Sequence, residues 1–333
     1  MSDRWTPEQA RVWHERQPWL VGCNFIPSTA INPIEMWQAA TYDAATIERE
    51  LGWAQGLGFN SVRVYLHDLL WVEDAPGFKH RIDRFLTTAA RHAIRPVLVL
   101  FDDCWNQQPA LGPQPAPQPG IHNSGWVQSP GSAVVLDSGQ WGRLADYVGD
   151  VVGAFGRDER VLMWDLYNEP GNNHLGERSL GLLSAAVGWA RVAQPRQPLT
   201  IGLWNESLAA LNDFQLANSD VITFHNYQEA ASLERQIATL QPLGRPILCT
   251  EYLARTQGSR FETHLPIFRR ANVGCYNWGL VSGKTQTVFP WGSQAASPEP
   301  AEWFHDILRP DGSPYSRAEV SLIRAMTLAA DQD

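Results

Sequence analysis

Apolar, β-branched runs alternate with stretches of helical spacing from one end of the chain to the other. The strand-like runs cover 19–27, 61–66, 96–101, 161–167, 199–204, 221–227, 246–252 and 273–281, eight in all. Between them the apolar positions fall on helical stripes. Ile47, Leu51, Ala54 and Leu57 share one within 44–58, and Ile82, Phe85, Leu86 and Ala89 share another within 80–94. Such alternation predicts βαβ units on a parallel sheet. Eight repeats with no obvious linker predict an α/β fold closed into a (β/α)8 TIM barrel, one catalytic domain over 1–333. An open doubly wound sheet is the runner-up, but the phosphate-binding glycine fingerprint it needs after its first strand is missing.

Two features depart from a bare barrel. Residues 1–18 precede the first strand and contain Thr6-Pro7-Glu8-Gln9, which reads as the capped start of a short helical extension. The segments 104–136 and 282–301, after the third and eighth strands, are rich in Pro, Gly and Gln and too long for plain connections. Both are expected to stand over the catalytic face and wall the cleft from separate sides. Loops of that length favour a pocket over an open groove.

Composition narrows the possible partners. Lys+Arg 26 against Asp+Glu 35 gives a formal charge of −9, which repels polyanions and argues against nucleic acid or an anionic membrane surface as partner. The 15 Trp exceed what a core needs, and indole faces stack on sugar rings. Cys23, Cys104, Cys249 and Cys275 form no CxxC pair, so a reducing compartment is expected. The N-terminal residues lack the apolar segment of a signal peptide, and no run is long enough to span a bilayer; the expected location is cytoplasmic. The first strand carries no HxH and the nine His are scattered, so neither a metal nor a cofactor is expected.

The chemistry gathers at the strand ends, which a parallel barrel brings to one face. The fourth strand ends in Asn168-Glu169 and the seventh in Glu251, two carboxylates with which a glycosidic bond can be broken. Arg63 on the second strand and Tyr227 at the end of the sixth are placed to hold Glu251 ionised as nucleophile. Glu169, as the acid, needs a raised pKa. Asn168 is a candidate donor to a sugar 2-hydroxyl. His225 shares a strand face with Tyr227, and Trp278 lies on the eighth strand. Trp105, Trp126 and Trp291 lie in the long loops as candidate sugar contacts. Glu206 also follows a strand, but Asn205 before it reads better as a helix N-cap.

In these positions the chain resembles clan A of the glycoside hydrolases, and most closely glycoside hydrolase family 5, the cellulase, mannanase and β-glycosidase family. The resemblance runs over nearly the whole chain. It implies a retaining enzyme with Glu169 as acid/base, Glu251 as nucleophile, Arg63 as its positioner, and Asn168 as the 2-hydroxyl partner. It further implies His225 and Tyr227 as supports and Trp278 as the platform beneath the sugar. The family's histidine at the end of the third strand is replaced by Asp102-Asp103-Cys104, so an acidic pair is expected to meet sugar hydroxyls and the branch is divergent. The implied activity is retaining hydrolysis of short β-linked glycosides. A transglycosidase, a non-catalytic carbohydrate-binding barrel, a metallohydrolase and an inverting hydrolase are the rivals. Sugar, linkage and oligomeric state stay open.

Overall fold

The structure is a computed structural model that describes residues 4–328. Its strands are β1 (Val21–Asn24), β2 (Ser61–Tyr65), β3 (Arg95–Val99), β4 (Met163–Asp165), β5 (Leu199–Thr200), β6 (Ile222–His225), β7 (Ile247–Tyr252) and β8 (Gly274–Trp278). They lie in the order β5-β4-β3-β2-β1-β8-β7-β6, and every named pairing is parallel. The remaining gap between β5 and β6 is bridged by Leu203, whose N–H donates to Thr223 O while its carbonyl accepts from His225 N. The sheet is therefore a closed (β/α)8 barrel, as the repeat count predicts.

The apolar runs reflect strands buried on both faces, as parallel sheets require. Outside, the strands pack against the helices through one continuous core that includes Val62, Leu98, Trp164, Phe224 and Cys249. Inside, Leu20, Val97, Leu162, Met163, Val221, Leu248 and Tyr276 fill the lower barrel. Above that plug the interior turns ionic, with Arg63 and Asp165 fully buried. This change from apolar to charged along the barrel axis positions the site.

Two helical details matter for the sequence reading. The N-terminal extension forms the helix Pro7–Glu15, with Thr6 and Gln9 making the reciprocal capping box. The second striped stretch belongs to a longer helical segment, Asp68–Arg91, kinked at Asp74. Asp74 accepts from Gly77 N and starts the second half afresh, with Pro76 in its first turn, where no N–H is missed. The Asn205 expectation needs correction: Asn205 Oδ1 closes a local turn on Ser207 N, and the helix begins later, at Ala209–Asn218.

The long loops also differ from expectation. They do not stand apart; they are hydrogen-bonded to each other. Asn123 N donates to Thr285 O at 2.8 Å, Gly120 N to Gln286 Oε1 at 3.0 Å, and Ala296 N to Pro119 O at 2.7 Å. Sequence spacing gives a loop's length but not its direction, and both loops turn toward the arc above β1 and β2.

Candidate active site

A cleft of about 1200 Å³ opens over the C-terminal strand ends, lined by Glu169 and Glu251 together with Trp278, Trp291, Trp105 and Trp204 among others. Polar convergence in a large cleft at this face is the expected signature of a barrel active site.

Glu251 is the last residue but one of β7, lies within a register shift, and lines the cleft. One oxygen, Oε1, accepts from Arg63 Nη1 at 2.7 Å and from Tyr65 OH at 2.9 Å. The other, Oε2, accepts from Tyr227 OH at 2.7 Å. Arg63 is itself held by Asp165 Oδ2 at 2.9 Å, Asn24 Oδ1 at 2.9 Å and Asn168 Oδ1 at 2.7 Å. Burial works against its charge, but Tyr65, Asp165 and Glu251 outweigh that and hold its pKa well above the ordinary value. A permanently charged guanidinium and two phenols surround this one carboxylate. Arg63 and Tyr227 thus stand where the sequence reading put them. Tyr65 and Asp165 escaped that reading. Tyr65 is two residues from Arg63 and shares its strand face, a signal that period-two reasoning could have caught.

Glu169 follows β4 in a left-handed backbone conformation, φ 45°. For a non-glycine residue this is strained, and such strain gathers at functional sites. Its Oε2 accepts from Asn172 Nδ2 at 2.6 Å and from the Cys104 thiol at 3.2 Å. Oε1 lies 2.8 Å from His225 Nδ1, which also approaches Glu251 Oε2 at 3.4 Å. That nitrogen thus lies within reach of both carboxylates. The raised pKa expected for Glu169 is not found. Burial pushes it up, but the contacts with His225, Cys104 and Asn172 outweigh burial and hold the carboxyl below its ordinary value. Cys104 and Asn172 were missing from the sequence reading, because both reach Glu169 from loops.

The acidic pair after β3 divides. Asp102 Oδ1 accepts from Asn168 Nδ2 at 2.9 Å and Oδ2 from Trp126 Nε1 at 2.8 Å, at the edge of the cleft. Burial pushes its pKa up to about 6 against those bonds. Between Asp102 and Arg63, the Asn168 amide is fixed in one orientation. Asp103 corrects the expectation. It points away from the cleft and accepts from Tyr167 OH at 2.7 Å, Ser179 Oγ at 2.6 Å and Gly171 N at 2.8 Å. Fully buried, with its pKa raised to about 7 by that burial, it ties down the turn after Glu169 and has no place for a sugar hydroxyl.

The tryptophans divide as well. Trp278 ends β8 and meets Tyr65 and Trp126 edge-on, at 6.0 and 5.7 Å between ring centroids. Trp126 is only 2% exposed, so its main work is to support Trp278 and Asp102. Trp105 and Trp291, 38% and 39% exposed, line the cleft, each with its ring against His122. Beyond Glu169 the cleft continues past Trp204, Asn205 and Gln236, none of which was foreseen as lining.

The geometry defines a class, that of barrels with two carboxylates facing each other across a polar, tryptophan-lined cleft. Comparison with solved structures places the fold more narrowly. A GH5_18 enzyme from Streptomyces cattleya, crystallised with Manβ1-4GlcNAc, matches with TM-score 0.65 at 13% identity, over 94% of this chain and 81% of that one. An exo-β-1,4-mannosidase from Opitutaceae bacterium strain TAV5 matches with TM-score 0.63 at 18% identity, over 93% of this chain and 60% of that one. The β-mannanase of the blue mussel Mytilus edulis matches with TM-score 0.59 at 14% identity, over 94% and 92%. No protein-family model matches the sequence, and no curated protein is similar to it. The chain shares the fold of glycoside hydrolase family 5 enzymes.

Proposed function

We propose that the protein is a retaining β-glycoside hydrolase acting on short β-linked glycosides. The observation that carries this reading is the closeness of the two carboxylates: one oxygen of each lies within 4.8 Å of the other, and His225 Nδ1 reaches both. Retaining enzymes hold their carboxyl groups at about 5–5.5 Å, whereas an inverting enzyme needs about 6.5–9.5 Å to seat a water. Glu251, hydrogen-bonded to Arg63, Tyr65 and Tyr227, attacks the anomeric carbon as Glu169 delivers its proton to the departing glycosidic oxygen. The bond to Glu251 forms and the bond to the leaving oxygen breaks. Water then enters on the vacated side, gives its proton to Glu169, and displaces Glu251.

Solved structures of the same fold are named for β-mannoside substrates, so β-mannosides head the substrates to be tried. The expected cytoplasmic location agrees with short substrates over polymers. Among the described residues, no helix is long and apolar enough to cross a membrane.

A second reading has one observation in its favour. Ligand atoms of Glu169, His225 and Glu251 all lie within 4.8 Å of one another, a spacing that suits a divalent cation. His225 Nδ1 already contacts both carboxylates there, at 2.8 Å from Glu169 Oε1 and 3.4 Å from Glu251 Oε2. One experiment separates the two. A panel of aryl β-glycosides is assayed before and after prolonged dialysis against a chelator. Unchanged aryl release on at least one sugar is the expected result. Loss of activity restored by a divalent ion would favour the metal reading.

A further inference from the structure

The joined loops carry a consequence for which bonds the cleft can accept. Segment 104–136 leaves β3 and segment 282–301 leaves β8, and between them lie only β1 and β2. His122 stands at the centre of the junction. Its backbone N–H donates to Ser293 Oγ at 3.2 Å, and its Nδ1 lies 2.7 Å from Phe289 O. Burial pushes this imidazole down to about 4, so above that pH it is neutral and Nδ1–H donates to the carbonyl. Gln286 adds three side-chain bonds, accepting from Gly120 N at 3.0 Å and donating to Gln118 O at 2.7 Å and to Ile121 O at 3.3 Å. The ring of His122 packs against Trp105, at 5.4 Å, and Trp291, at 6.4 Å between centroids. The result is a continuous wall across one end of the cleft.

The position of that wall relative to the scissile bond follows from the proposed roles, on which this inference rests. The ring attacked by Glu251 lies over Trp278, on the arc of β8, β1 and β2. The leaving group lies beyond Glu169, where the cleft runs on past Trp204, Asn205 and Gln236. The wall therefore faces the non-reducing end of the attacked sugar, and the open limb faces the leaving group. We propose that the bridge between the two loops makes this an exo-acting enzyme, with room for a single sugar on the glycone side, that removes one residue at a time from the non-reducing end.

The test uses the unmodified protein and paired substrates, an aryl β-monosaccharide and the aryl β-disaccharide of the same sugar, across the panel. Aryl release from the monosaccharide should begin at once. From the disaccharide it should show a lag, with free monosaccharide as first product and direct aryl release slower by roughly 100-fold or more, a steric rejection at or above the upper range for a misfit group. Aryl release without a lag, with intact disaccharide as product, would overturn exo action and leave the glycosidase reading standing. No aryl release from any member of either series would remove the glycosidase reading, and exo action with it.

Discussion

Alanine in place of Glu251 is expected to abolish turnover, with a loss on the order of 10⁴-fold or more, as for other residues that carry a covalent step. Arg63, Tyr65 and Tyr227 all direct hydrogen bonds at this one carboxylate, and none of them can replace it as nucleophile. The truncation leaves a space beside the retained guanidinium, and a small anion suits such a place. Added azide should enter it, attack the anomeric carbon from the side Glu251 occupied, and restore part of the rate. The product would be a glycosyl azide of inverted anomeric configuration. Near-normal hydrolysis by the variant would show that another group is the nucleophile.

Glu169→Ala should be nearly as damaging on natural substrates and far less so on activated ones. An alkyl-linked sugar needs its leaving oxygen protonated, and loss of a general acid costs about 10²–10⁴-fold. A dinitrophenyl leaving group departs without that proton, so its glycosylation step, read in single turnovers, should fall much less. Equal losses for both would count against the acid/base role. The pH profile gives a second reading. The acid works only when protonated, so kcat/KM falls as pH rises through the Glu169 pKa of the free enzyme. Because His225, Cys104 and Asn172 hold that pKa below the ordinary carboxylate value, the alkaline limb should lie in the acid range, and it should vanish in the variant.

Much of this site was legible before any coordinates, and the reason is geometric. Strand ends in a parallel barrel converge, so Glu169, Glu251, Arg63 and Tyr227 could be brought together from strand order alone. What was lost lies outside that rule. Asp102 and Asp103 are neighbours in an extended segment and face opposite ways, so both could never meet the sugar. Asp102 turns to the cleft, and Asp103 turns back to hold Gly171 and Ser179. Cys104 and Asn172 reach Glu169 through loop conformations, including positive φ at neighbouring Trp105 and Asn173, which no periodicity encodes. The lowered Glu169 pKa was invisible for the same reason. The bridge at His122 depended on the direction of two long loops, which is set by tertiary contacts such as His122 Nδ1 with Phe289 O.

The central claim is a covalent bond between sugar and Glu251, and one measurement reads it directly. The protein is incubated with an activated deoxyfluoro analogue of its preferred β-glycoside, in which formation of the intermediate outpaces its hydrolysis, then digested and weighed by mass spectrometry. The account predicts one fluorosugar per chain, on the peptide that contains Glu251, with loss of activity in step with labelling. Labelling of a different residue, or no adduct while the natural substrate yields product of inverted anomeric configuration, would contradict it.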